Sequence, residues 1–590
     1  MTEYQSLWDL DSIFSNDSEY NAFILFADDL KSNLDELSKS IDTMINQETS
    51  LIPSIVNVIE SFQEITGKLG IAQGFITCLD IKEPNNNLQS FKSILSNINS
   101  NYFSISLYLN YFLSSIPLNE WTVILKHPSI KPIAFALEKK RNQGLLYNNP
   151  QVELTIKSLE PNGFHNWEQM YHRLMNKTRK GVRFRKNSYN NFNLSEIREN
   201  KKQDFHEMNR TLQKNEELFA VIINSITGFR LTKYKKQNYK SELSESLIEI
   251  NNMKKSTLDS MFKTIDKNKE KLLKFIKIKA KLLQLDKLSW FDLYSPITDS
   301  PNKLNFTDGA NIILNSVRKY DEAIYKYLKE SFENGWIETK NSKNNINGAS
   351  SINFALFNQF RLYLNFQNNT EDIITLAHEL GHSYHYYLVS DLPILSQDYS
   401  LCIAESASTF FEQMVFDNLI NSTNNDLQKI SLLNLKLQNN VIFLLDIYSR
   451  FKFEHQLYNL RKNGFVDSSQ LNILMLNSQK EAFNNLLLEY NQYAWITQKH
   501  FYKTWVPFYN YPYAFGCLFS YFLFSKAKKD ATFINKFKHL LRDTGQMSLE
   551  LLLKSHFSSE LSEVDFWQSS IDLILEDINE FEKLSYNLLK

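Results

Sequence analysis

Chain breakers are scarce: 14 glycines and 12 prolines in 590 residues stand far below the usual shares of about 7% and about 5%. Sandwiches, propellers and barrels of many short strands need frequent turns, so they are excluded and long helices are expected. Cysteine is scarcer still, at 3 residues. Cys78, Cys402 and Cys517 lie far apart and form no CxxC pair, which excludes a disulfide framework or a cysteine zinc site and points to a reducing compartment. Excess charge is absent too: 65 basic residues against 66 acidic leave a net charge of -1, and nothing calls for nucleic acid. The best apolar run, Phe515 to Phe524, is about half the length of a membrane span. The N-terminus, Met1-Thr-Glu-Tyr-Gln-Ser-Leu-Trp8, lacks the basic stretch and apolar core of a secretory signal. A cytoplasmic protein with no nucleic-acid and no membrane partner is expected, its oligomeric state open.

The chain does have material for large cores, with 43% hydrophobic and 14% aromatic residues, so bulk disorder is excluded. No repeat of solenoid or propeller period is present. From Asp17 on, the 3-4 spacing of Phe23, Phe26, Leu30, Leu34, Leu37 and Ile41 predicts a helix with one buried face. Residues 1–115 read largely this way. Pro117, Pro128, Pro132 and Pro161 then mark a smaller helical unit over 116–190, and long helices resume over 200–590, as in the stripe Leu258, Met261, Phe262, Ile265, Leu272, Phe275 and Ile276. The basic run Lys177 to Lys186 reads as a solvated connector. Phe360, Leu362, Leu364 and Phe366, alternating with Arg361, Tyr363 and Asn365, predict a strand of edge type.

The decisive segment is Asn369-Thr-Glu-Asp-Ile-Ile-Thr-Leu-Ala-His378-Glu379-Leu-Gly-His382-Ser-Tyr-His385. Asn369 or Thr370 can cap a helix, and Glu371 and Asp372 suit its positive end. His378 and His382 then share one face and can hold one Zn²⁺ per chain, with Glu379 placed to polarise the metal's water and take its proton. A catalytic zinc takes three protein ligands. A metzincin-type continuation is excluded, because His385 and Leu388 stand where its glycine and third histidine belong. The second helix, Ile403-Ala-Glu405-Ser-Ala-Ser-Thr-Phe-Phe-Glu412, supplies Glu405 as the third ligand. Glu412, two turns on, either supports a ligand histidine from behind or is a plain surface carboxylate. His385 also falls on the metal face and reads as a supporting or packing residue.

These segments resemble the oligoendopeptidase F branch of the thimet-oligopeptidase-like zinc metallopeptidases. The resemblance rests on His378-Glu-Leu-Gly-His382-x-x-His385 and Ala404-Glu405-x-Ala-Ser-Thr409. Weaker matches run along most of the chain: Leu7-Trp-Asp-Leu10, Phe291-Asp-Leu-Tyr-Ser-Pro296, Gly348-Ala349, Leu362-x-Leu-Asn365 and Phe453-Glu454. It implies a mainly α, multi-lobed protein with a deep internal cleft over the zinc, a small β-sheet next to the zinc helix, and endopeptidase action on short oligopeptides. The unit at 116–190 then corresponds to the family's small N-terminal helical domain, and 200–590 to its catalytic zinc domain. The resemblance also assigns work to His500-Phe-Tyr-Lys-Thr-Trp-Val-Pro-Phe-Tyr509-Asn-Tyr511-Pro-Tyr513. Phenol and imidazole N–H groups there would donate to the oxyanion, with His500, Tyr509 and Tyr513 as the candidates. Pro512 departs from the pattern. Proline suits a first helical turn, so Tyr509 and Tyr511 are expected ahead of the helix. The strand Phe360 to Phe366 would pair with the substrate backbone. Two alternatives stand beside this reading: a peptidyl-dipeptidase or carboxypeptidase on the same scaffold, and a catalytically silent peptide-binding protein. The intact set His378, Glu379, His382 and Glu405 argues against the latter.

Overall fold

Short polar side chains start the helices around the candidate site. Asn305 accepts from the Asp308 N–H at the head of helix Phe306–Arg318, and Asp321 from the Ile324 N–H at the head of Glu322–Glu333. Asn369 and Asp372 form a capping box on Thr370–Val389, each side chain accepting from the other's backbone N–H, which satisfies donors that a helix start leaves open. The computed structural model describes residues 4, 6–15, 20–46, 51–82, 86–147, 149–182, 194–298, 304–339, 348–530 and 532–589.

Two compact units each draw on three stretches of chain. The first comprises Met1–Ser158, Asn302–Val415 and Lys526–Leu552. Its apolar core is built on the long helices Asn21–Asn46, Leu51–Lys82 and Asn86–Ser115. Phe23, Leu30, Leu34, Leu37 and Ile41 are buried as the spacing predicts, while Phe26 packs partly buried at the margin; Asp17 lies outside the described residues. The second unit comprises Leu159–Pro301, Phe416–Ser525 and Leu553–Lys590. There the predicted stripe from Leu258 to Ile276 is buried along helix Lys255–Leu282, which packs against Val564–Leu589 with Phe275 and Phe581 edge to face at 5.1 Å. Of the basic run, Lys177 to Lys180 close helix Asn166–Lys180, and residues 183–186 lie outside the described residues. No helix among the described residues is long and apolar enough to cross a membrane.

Regular structure is mainly helical, and strands among the described residues are confined to one small sheet in the first unit. The sheet has three strands, β1 (Ile337–Glu338), β2 (Ala349–Phe354) and β3 (Gln359–Leu364), in the order β1-β3-β2. β1 is parallel to β3, with Ile337 opposite Leu362, and β2 is antiparallel to it, running from Ala349 opposite Leu364 to Phe354 opposite Gln359. The alternation predicted β3 and suggested an edge; the structure corrects this, since β3 is the central strand. Its second face is covered as well. Arg361 is fully buried and donates to Asp9 O, Phe360 O, Ser12 Oγ and Gln359 Oε1. Trp8, from the Leu7-Trp-Asp-Leu10 match, donates its indole N–H to Leu362 O at 2.9 Å.

Candidate active site

Helices Thr370–Val389 and Leu401–Ser422 meet at Gly381. A Cβ there would lie 2.6 Å from Ser408 Cα and 3.0 Å from Ala407 O, so a side chain would force the helices apart. This close approach lets a carboxylate from the second helix reach the histidines of the first. Glu405 Oε2 lies 3.4 Å from His378 Nε2 and 4.0 Å from His382 Nε2, and one ligand atom from each of the three residues falls within 4.8 Å of the others. A tetrahedral zinc with bonds near 2.0–2.1 Å sets its ligands roughly 3.4 Å apart. Glu405 Oε2 is buried and has no hydrogen-bond partner among the described residues. An orphaned buried carboxylate oxygen facing two imidazole nitrogens fits a divalent cation, and the donor set suits zinc.

The electrostatics agree. Burial acts to lower the His378 pKa, but Glu405 and Glu412 override it and hold the imidazole well above its ordinary value. Two carboxylates around one ring call for positive charge between them. Burial instead pushes His382 down to about 4, which keeps it neutral, the form that binds metal. Glu379 is buried beside them. Burial, with the fields of Glu405 and Glu412, pushes its carboxyl up to about 7 against the pull of His378.

The two open readings on this face resolve differently. Glu412 Oε1 contacts His378 Nδ1, so it supports the ring from behind. His385 does not join the group. It is fully buried, its Nε2 contacts Leu541 O at 3.1 Å and Thr544 Oγ1 at 3.0 Å, and its ring stacks on Tyr399 at 3.8 Å. β2 is tied to the same helix, with Ser351 Oγ 2.8 Å from Ser383 Oγ.

In the second unit His500, Tyr509 and Tyr513 form a cluster of their own. The His500 ring is 4.7 Å from Tyr509 and nearly parallel to Tyr513 at 5.9 Å. His500 sits on the short turn Lys499–Tyr502, while Tyr513 is on helix Tyr511–Lys529. As Pro512 requires, Tyr509 precedes the helix, but Tyr511 is its first residue. Tyr511 is fully buried, its hydroxyl donating to Ser246 O at 3.2 Å and accepting from Asn251 Nδ2 at 2.8 Å, so it stands apart from the cluster. Phe508 takes a left-handed φ of 52°, rare for a bulky side chain. Its N–H is held by Glu454 Oε1 at 2.9 Å, which gives the Phe453-Glu454 match a physical role. Sequence reasoning missed two neighbours of His500: Asn510, whose Oδ1 is 2.9 Å from His500 Nδ1, and Arg450, 3.3 Å from the same oxygen.

A helical frame that brings two imidazoles and a carboxylate to one point, with another buried carboxyl beside them, defines a candidate metallohydrolase centre. The chain belongs to peptidase family M3, whose model matches residues 191–564. It is similar to oligopeptidase PepF of Bacillus subtilis (strain 168), 26% identical over 403 residues, covering 67% of this chain and 59% of that one. It is also similar to an oligoendopeptidase F homolog of Lactococcus lactis subsp. lactis (strain IL1403), 26% identical over 334 residues, covering 55% of this chain and 54% of that one. The chain thus spans little more than half the length of these relatives. Its fold is shared with the crystal structure of oligoendopeptidase-F from Enterococcus faecium, with a TM-score of 0.67 at 15% identity, covering 95% of this chain and 99% of that one.

Proposed function

We propose that the protein is a zinc metalloendopeptidase that hydrolyses short oligopeptides, with one zinc per chain held by His378, His382 and Glu405. The observation that carries this reading is the convergence of those three side chains beside the buried carboxyl of Glu379. A zinc ion there would supply the Lewis acidity that makes water nucleophilic at neutral pH and polarises the scissile carbonyl. Glu379 takes the proton of the attacking water and passes it to the leaving amine. Glu412 fixes the His378 ring.

Substrate backbone pairing is reassigned from the Phe360–Phe366 strand to β2, because β3 is already paired with β2 along its length and with β1 at Leu362 and Tyr363. β2 is an edge strand, half-buried along most of its length and fastened to the Glu379 helix. An extended peptide added to such an edge is held by main-chain hydrogen bonds, which tolerates many side chains. The resemblance implies that phenol and imidazole N–H groups of His500, Tyr509 and Tyr513 face the substrate and donate to the oxyanion.

Mass spectrometry of a peptide library incubated with the zinc-loaded protein, with and without a chelator, tests this. Internal cuts abolished by the chelator are expected. Cuts confined to the carboxyl end would replace endopeptidase with dipeptidase or carboxypeptidase action, and binding without cleavage would leave a peptide-binding protein.

A further inference from the structure

The His500 ring has one neighbour whose chemistry fixes where its proton sits. Arg450 rises from helix Phe443–Arg461 and is buried, paired with Asp446 one turn earlier on the same helix. Its Nη1 lies 3.3 Å from Asn510 Oδ1. A guanidinium carries donors only, so the amide atom facing it must be the oxygen; the reversed amide would set an NH₂ group against the guanidinium. Asn510 is 1% exposed, so solvent cannot relieve that clash. The same oxygen lies 2.9 Å from His500 Nδ1. An acceptor already oriented by Arg450 can only receive from that nitrogen, so Nδ1 carries the proton. Burial pushes the His500 imidazole down to about 4, which keeps the ring neutral. A neutral imidazole has a single N–H, so Nε2 is left with a bare lone pair.

We propose that Asn510, backed by Arg450 and Asp446, is a positioning residue that holds His500 with its proton on Nδ1, so that Nε2 accepts a hydrogen bond from a substrate backbone N–H. This rests on the reading of His500 as a substrate-facing residue and changes its part in the reaction. A ring with no proton on Nε2 cannot donate to an oxyanion from that atom, so oxyanion donation in this cluster falls to the phenols of Tyr509 and Tyr513. The packing of His500 against both tyrosine rings fixes the plane in which the lone pair points.

The test is nitrogen NMR of the full-length, zinc-loaded protein with ¹⁵N-labelled histidine, the His500 signals being those missing from His500→Gln. At neutral pH the expected result is a protonated-type shift at Nδ1 and an unprotonated one at Nε2. A proton on Nε2 overturns the proposal. Asn510→Asp keeps an acceptor in place and should preserve both the tautomer and most of kcat/KM. Asn510→Leu should let the proton redistribute and lower kcat/KM about 10- to 100-fold, the range for partners that orient functional histidines, chiefly through KM; an unchanged tautomer in that variant also overturns the proposal. Wild-type activity in His500→Gln would sink the substrate-facing reading while leaving the tautomer readable, so the two failures are distinguishable.

Discussion

Glu412 Oε1 stands 2.6 Å from His378 Nδ1, on the side of the ring away from Glu405, which lies 3.4 Å from Nε2. With Nδ1–H donating to Glu412, Nε2 is left as the metal-facing atom. Glu412→Ala should weaken zinc binding about 10- to 100-fold, measured by competition with a chelator of known affinity. Unchanged affinity would reduce Glu412 to a surface carboxylate.

Glu379→Gln separates binding from chemistry, because residue 379 is assigned to the water and not to the metal. Zinc content by elemental analysis should stay at one per chain, while kcat falls about 10²- to 10⁴-fold, the range for general acid–base catalysis. Near-normal turnover would remove Glu379 from its role.

Gly381→Ala places a methyl group 2.6 Å from Ser408 Cα. The two ligand-bearing helices must separate, at a cost of about 1–3 kcal/mol or more for overpacking, and zinc retention should fall with stability. Gly70→Ala is the control. It sits in helix Leu51–Lys82 with nothing among the described residues within 4 Å of its added Cβ, and should raise stability by about 0.5–1 kcal/mol. Thermal melts with and without chelator read both.

Two tyrosines in the same helical turn should fail in different ways. Tyr511→Phe removes a buried hydroxyl bonded to Ser246 and Asn251, so stability should drop by about 1–3 kcal/mol with kcat retained. Tyr513→Phe should lower kcat about 10²- to 10³-fold. The reverse pattern would exchange their roles.

Glu454 gives a pH dependence of stability. Burial pushes its carboxyl from 4.5 up to about 7, opposed by its bond to the Phe508 N–H. Between those values the folded chain keeps a proton that the unfolded chain has released, so this group's contribution to stability falls as pH rises through the window. Glu454→Gln retains an acceptor for Phe508 and removes the titration. From about pH 5 to about pH 8 the variant should gain on the wild type by up to about 3 kcal/mol, read from denaturant midpoints. A constant difference across that range would show that Glu454 titrates normally.

The grouping of His378 and His382 was legible because helical periodicity alone puts them on one face, and a cap at Asn369 or Thr370 with Glu371 and Asp372 in the first turn announces the helix that carries them. Glu405 was legible because it lies on the next helical stretch. His385 shows where periodicity stops. It is two turns beyond His378, yet Leu541 O and Thr544 Oγ1 take up its Nε2 from a distant part of the chain. Alternation located β3, but Arg361 and Tyr363 in its polar register are buried, because residues near the start of the chain cover that face. β2 reads Ala-Ser-Ser-Ile-Asn-Phe, a composition with little strand preference of its own, and it is a strand because β3 offers it a partner. Asn510 carried no signal at all: its meaning comes from Arg450, on a separate helix.

The bond from Trp8 to Leu362 joins residues 354 positions apart. At roughly 5–20 residues added per second during synthesis, Trp8 waits on the order of 20 to 70 s for the strand it docks on. The indole and the apolar helices after it leave the ribosome long before β2 and β3, which share their core, exist. The first unit therefore cannot close as it is made. In that interval the early helices can bury their apolar faces against one another, and the place for Phe354 and Tyr363 in their core stays open until the strands arrive.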